Sequence, residues 1–269
     1  MSTLVIIPTY NEATTIRTAV AGVRRYAPHA HVLVVDDASP DGTGDIADEL
    51  AAADDAVDVL HRTGKDGLGR AYVDGFRLAL EREYEFVVEM DADGSHRPVD
   101  LPKLLRRAAA DDAPDLVIGS RWRPGGAVEN WPTHREVLSR GGNFYVRAAL
   151  GVPVADATAG FRVFRASMLR ALDLDSIESQ GYCFQVDMTW RVHQAGGHIV
   201  EVPIVFVERT EGVSKMNSSI VREALARTTV WGAQHRLRQA RRLAGRAGGR
   251  LLGLAGGLAD RVEGSRRRR

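Results

Sequence analysis

The chain has 269 residues, 44% hydrophobic and 26% charged, which excludes wholesale disorder and fibrous architecture and suits one large domain or two small ones. A single cysteine, Cys183, excludes an internal disulfide and any cysteine-rich metal cluster, and fits a reducing compartment. The net charge of +1 is uneven: residues 236–269 carry eleven Arg against Asp260 and Glu263, a net +9, which leaves residues 1–235 at −8.

Short apolar runs alternate with helical patterns over the first two thirds of the chain. Leu4–Ile7 is a buried-strand run, and Thr14 to Tyr26 a helix with Ile16, Val20 and Val23 on one face. Strands are expected next at His31–Val35, Val57–Leu60, Phe86–Met90 and Leu116–Ile118. Helices at Asp45–Ala53, Leu68–Leu80 and Leu101–Ala110 separate them. Strand, helix and strand at this spacing predict βαβ units, hence an α/β fold with a mainly parallel, doubly wound central sheet and helices on both faces. Arg121 to Gly142 breaks into a Pro/Gly/Trp-rich loop. Helices are expected around Val137–Leu150, Val186–Ala195 and Ser218–Leu243, with a strand at Ile199–Val205. No run reaches about 18 uninterrupted apolar residues, and Met1 to Ile7 shows no basic region or cleavage site. Neither a spanning helix nor a secretory signal is expected.

Ligands of doubly wound sheets bind beyond the carboxyl ends of the strands. Three of the first four strand ends here carry polar clusters: Pro8-Thr9-Tyr10-Asn11-Glu12, Asp36 to Thr43, and Asp91-Ala92-Asp93. Asp and Ser at such ends commonly cap the next helix. Capping accounts poorly for Asp91 and Asp93, because a buried strand that delivers two carboxylates to one point incurs repulsion. A hard divalent cation relieves it, typically sharing its ligand shell with substrate phosphates.

The order Pro-Thr-Tyr-Asn-Glu, Val-Val-Asp-Asp-Ala-Ser-Pro-Asp-Gly-Thr, Asp-Ala-Asp resembles the GT-A, Rossmann-like fold of family 2 glycosyltransferases. Gly64–Ala71 resembles the Gly-Leu-Gly segment of polyprenol-phosphate (dolichol-phosphate) mannose synthases. So do Gly119-Ser120-Arg121, Asn130-Trp131-Pro132 leading to Arg135, Ser139-Arg140-Gly141, Thr158 to Arg162, Gly181-Tyr182 and the run from Arg209 to Lys215. The resemblance covers roughly residues 3–220.

The resemblance implies metal-dependent, inverting transfer of mannose from GDP-mannose to a polyprenyl phosphate, with Mg²⁺ or Mn²⁺. Pro8, Tyr10 and Glu12 would line the nucleoside, while Val35 and Asp37 would receive the base. Asp91, Ala92, Asp93 and Ser95 would lie at the diphosphate, with Asp91, Asp93 and Ser95 holding the metal. Ser95 stands where relatives often carry Gln, a longer ligand. Arg209 and Lys215 would contact the diphosphate. Arg121 and Arg135 would hold the acceptor phosphate, Arg121 also reaching the nucleotide sugar. The plain alternatives are a packing aromatic for Tyr10 and ion pairs with neighbouring acids for Arg121 and Arg135. No general base is nominated, because a phosphate monoester with a second pKa of about 6 is already largely anionic near neutrality.

Three other functions stay open on the sequence: the same chemistry with UDP-glucose or another nucleotide sugar, a sugar-hydroxyl acceptor, and a non-catalytic scaffold. Residues 1–240 form the expected catalytic domain and 241–269 a basic Arg/Gly/Leu-rich tail, either laid on anionic lipid or disordered and solvated. The expected partners are GDP-mannose, polyprenyl phosphate in the membrane and a membrane-anchoring protein, with no nucleic acid. The expected location is cytoplasmic, peripheral on the cytoplasmic face of the membrane.

Overall fold

The computed structural model describes residues 2–177, 179, 181–208, 225–234 and 236–237. Arg209, Lys215 and the tail 241–269 lie outside the described residues. Nine strands are described: β1 (Thr3–Thr9), β2 (His31–Asp36), β3 (Val57–His61), β4 (Phe86–Glu89), β5 (Leu116–Ser120), β6 (Ala127–Glu129), β7 (Arg162–Arg165), β8 (Ile199–Pro203) and β9 (Val205–Val207). The helices are α1 (Ile16–Tyr26), α2 (Thr43–Ala53), α3 (Leu68–Glu81), α4 (Leu101–Ala108), α5 (Thr133–Leu150), α6 (Ala166–Ala171) and α7 (Gly181–Gln194), followed by α8 (residues 225–234 and 236–237).

Seven strands form one sheet in the order β3-β2-β1-β4-β7-β5-β8. The uninterrupted apolar runs explain its centre, because a strand covered on both faces needs no polar alternation. Leu4 and Ile6 of β1, with Leu33 and Val35 of β2, join one buried cluster with α3, α5, α6 and α7. Val5, Ile7, Val32 and Val34 point the other way, into a cluster with α1, α2 and α4.

Two features depart from the expected pattern. β7 runs antiparallel between β4 and β5, within a segment where no strand is expected from hydropathy. Its sequence is two apolar residues between Arg162 and Arg165, too short a run to register. The expected strand over 199–205 is two strands that break at Ile204. β8 closes the large sheet, and β9 pairs in parallel with β6, inside what reads as irregular loop. α5 and α7 also start earlier than their periodicity implies, at Thr133 and Gly181.

The Gly-Leu-Gly segment has a backbone reason. Gly67 caps α3 at φ +88°, ψ 156°, a conformation essentially reserved for glycine. A Cβ on Gly69 would stand 2.5 Å from the Ser179 carbonyl oxygen and 2.9 Å from the Phe184 ring. Among the described residues no helix is long and apolar enough to cross a membrane. Gly69→Ala is expected to cost about 1–3 kcal/mol through overpacking, read as a fall in Tm; an unchanged Tm would show that α3 and the turn before α7 can separate freely.

Candidate active site

The carboxyl ends of β1, β2 and β4 open on the same side of the parallel sheet, and the polar clusters sit there. Asp36 and Asp37 take different roles. Asp36 is buried and accepts the Thr9 hydroxyl (2.8 Å), the Ser39 hydroxyl (2.6 Å) and the Ser39 N–H (3.0 Å), which fixes the turn into α2. Asp37 donates its N–H to the Thr9 carbonyl (3.0 Å) and ion-pairs with Arg62, whose Nε reaches Asp74 at 2.9 Å. Burial pushes the Asp37 carboxyl up, against the pull of Arg62. Arg62 is absent from the residues that the sequence singles out, although an arginine placed directly after β3 is a strand-end residue like Asp37 and Asp91. Val35 is wholly buried, its side chain in the core.

Pro8 and Tyr10 lie at the end of β1. The Lys65 ammonium lies 3.9 Å from the centre of the Tyr10 ring, so the β3–α3 loop approaches the β1 end. Glu12 donates its N–H to the Thr43 hydroxyl (2.9 Å), and its carboxylate accepts from Thr15 (3.2 Å).

At the end of β4 the chain turns tightly through Gly94, at φ +77°. Asp91 accepts the Tyr72 hydroxyl (3.2 Å), and its N–H donates to His96 Nδ1 (3.0 Å). His96 is buried, stacked on Phe161 at 5.2 Å and edge-on to Phe206 at 5.6 Å, so it packs and orients. Ala92 is buried beneath the turn. Ser95 donates both its N–H (3.1 Å) and its hydroxyl (2.6 Å) to Asp93 Oδ1, which places it as a brace for Asp93. Glu89 lies two residues before Asp91, wholly buried and in register opposite Arg162. Burial pushes its carboxyl up to about 8 and pulls Arg162 down to about 10, each favouring its neutral form.

The structure places Arg121 in the interior. Its side chain is 3% exposed, and its fork is engaged by Asp156 at 2.7 and 2.6 Å, with Thr158 at 2.8 Å. Nε and Nη2 of its guanidinium are thus bonded within the chain. Arg135, in the first turn of α5, is 17% exposed, ion-paired with Glu208 and stacked 4.3 Å over Trp131. It stands nearer the surface than Arg121.

Burial alone would raise the Asp156 carboxyl, but Arg121 holds it below the usual carboxylate range. Its stabilising contribution is therefore present above the unfolded value near 4 and lost as the pH falls through the lower folded value. Asp156→Asn is expected to cost about 3–5 kcal/mol at pH 7, because a buried guanidinium loses its partner. In denaturant titrations the deficit should shrink as the pH drops below about 4; a deficit independent of pH would remove the electrostatic explanation.

Known proteins place this geometry. The model of glycosyl transferase family 2 matches residues 4–173. Undecaprenyl-phosphate mannosyltransferase of Micrococcus luteus is 57% identical over 232 residues, covering 86% of this chain and 94% of that protein. Polyprenol monophosphomannose synthase of Mycolicibacterium smegmatis is 54% identical over 240 residues, covering 89% and 90%. Among solved structures, glucosyl-3-phosphoglycerate synthase from Mycobacterium tuberculosis with phosphoglyceric acid superposes at a TM-score of 0.66 and 18% identity, over 86% of this chain and 80% of that one. The same enzyme with Mn²⁺ and UDP-glucose gives 0.61 and 18%, over 85% and 77%. At that identity the shared property is the GT-A fold. On the family model and the two relatives more than half identical to it, the chain belongs to glycosyl transferase family 2.

Proposed function

We propose that the protein transfers mannose from GDP-mannose to a polyprenyl phosphate with inversion, giving polyprenyl phosphate β-mannose and GDP. The observation that carries this reading is the identity of 54–57%, over nearly nine tenths of the chain, with proteins named for polyprenyl-phosphate mannosyl transfer. Asp91 and Asp93 at the end of β4 support it chemically.

Two carboxylates on one tight turn suit a hard cation, and a solved neighbour carries Mn²⁺ with a nucleotide sugar. Among the described residues no group of three or more His, Cys, Asp or Glu side chains is gathered as a cage. Asp91 and Asp93 would thus hold Mg²⁺ or Mn²⁺ together with diphosphate oxygens, Ser95 keeping Asp93 aimed. When bound, the cation offsets charge on the departing diphosphate. Arg209 and Lys215 are proposed to do the same from outside the described residues.

Asp37, oriented by Arg62, offers a carboxylate to the N–H edge of guanine. Tyr10 and Glu12 flank the nucleoside, and Pro8 lies beside them. Arg135 receives the acceptor phosphate, for which guanidinium geometry is suited, and must exchange Glu208 for it. Arg121 positions the wall behind. The acceptor oxygen attacks already ionised, so no side chain is required to take its proton. With a lipid acceptor, the proposed location is peripheral, on the cytoplasmic face of a membrane.

Purified protein supplied with Mg²⁺ or Mn²⁺ and a polyprenyl phosphate should label organic-soluble lipid from GDP-mannose and not from UDP-glucose. Label from UDP-glucose alone would overturn the donor. Asp93→Ala should abolish transfer and the metal-dependent rise in Tm that GDP produces, while the fold persists; retained transfer would remove the metal assignment. Arg135→Ala should raise the acceptor KM more than the donor KM, and the reverse pattern would move Arg135 to the nucleotide site.

A further inference from the structure

α5 is apolar on two opposite faces. Asn143, Val146 and Leu150 are buried on its inner side. Val137, Leu138 and Phe144 are 64%, 50% and 64% exposed. At 100° per residue these three share one stripe about 120° wide, turned away from the buried side. α8 lies against α5. Tyr145 and Thr229 share a hydroxyl hydrogen bond (2.6 Å), and Arg236 donates to the Ala148 carbonyl (3.0 Å). A Cβ on Gly232 would stand 2.7 Å from the Ala149 carbonyl oxygen, so the two backbones meet closely. α8 repeats the pattern, with Thr228 and Gly232 inward and Val230 and Leu237 53% and 54% exposed.

Charge accompanies these stripes. Arg135, Arg140 and Arg147 lie on α5, and Arg227 and Arg236 on α8. The one acid on α5 or on the described residues of α8 is Glu136, paired with Arg140. The Arg147 guanidinium sits 5.8 Å from the Phe144 ring. Beyond α8 the sequence continues with ten further Arg against Asp260 and Glu263. Aligned apolar side chains this exposed mark an interaction surface. Arginine of one sign with a single acid beside it would repel a second copy of the same face and suits an anionic surface instead.

We propose that α5 and α8 together form a bilayer-docking face, with Val137, Leu138, Phe144, Val230 and Leu237 entering the interfacial layer and the arginines meeting anionic lipid headgroups. The inference rests on the lipid-acceptor reading for its purpose, because Arg135 opens α5 and so sets this face beside the group proposed to take the acceptor phosphate.

The test is co-sedimentation of the full chain with vesicles of phosphatidylcholine alone and of mixed phosphatidylglycerol and phosphatidylcholine. The parent should bind the anionic vesicles preferentially. Val137→Ser combined with Phe144→Ser should weaken that binding at least tenfold, with Tm and transfer to a short, detergent-dispersed polyprenyl phosphate unchanged. Vesicle binding equal to the parent's would overturn the proposal. So would binding that depends only on residues 244–269, or a parent dimer that the two substitutions dissociate. Parent protein that binds vesicles through this face but transfers nothing to the short acceptor would leave the docking face standing and overturn the acceptor assignment instead.

Discussion

The site depends on how residues 155–161 are tied down behind it. Ala155 and Asp156 donate their N–H groups to the Glu201 carboxylate on β8, both at 2.9 Å. Asp156 in turn grips the fork of Arg121 at the end of β5. Arg162, wholly buried, donates to the carbonyls of Ala157 (2.7 Å), Ala159 (2.6 Å) and Gln185 (2.8 Å), joining the same segment to α7. Buried ion pairs of this kind contribute little net stability because desolvation offsets the attraction. Here they specify one path for the segment, and that path brings Gly160 against Asp91 and His96. A Cβ there would stand 3.1 Å from the His96 ring and 3.6 Å from Asp91 Oδ2.

The electrostatics of the acid pair arise from the same enclosure. Asp91 is held by the buried hydroxyl of Tyr72, whose own proton is hard to lose because burial and the neighbouring carboxylates raise its pKa. Glu89 beneath is pushed towards its neutral form, which spares Asp91 a second adjacent charge. Arg135 stacks on Trp131 and pairs with Glu208, so its charge is balanced within the chain.

Much of this is legible in the order of residues. A parallel sheet buried on both faces leaves continuous apolar runs, and the residues directly after each run must lie at its carboxyl end. That rule alone finds Tyr10, Asp37, Asp91 and Asp93. It passes over Arg62 although the strand before it is expected, because His61-Arg62-Thr63 carries no acid like those after β1, β2 and β4. It also misses β7, whose guanidinium at Arg162 is buried only because three carbonyls from elsewhere in the chain receive it. Nor does sequence position reveal that Asp156, thirty-five residues away, engages the fork of Arg121.

Local order by itself determined the succession of β1 to β5, their parallel crossovers and the acid pair, because these depend on side-chain periodicity and on a single turn. Tertiary structure decided the rest: which arginines are engaged and which stand near the surface, that Ser95 braces Asp93, and that α5 is apolar on its outer as well as its inner face. Each of those depends on a partner or a covering layer set by the folded chain, and hydropathy counts a residue's character without knowing what lies across from it.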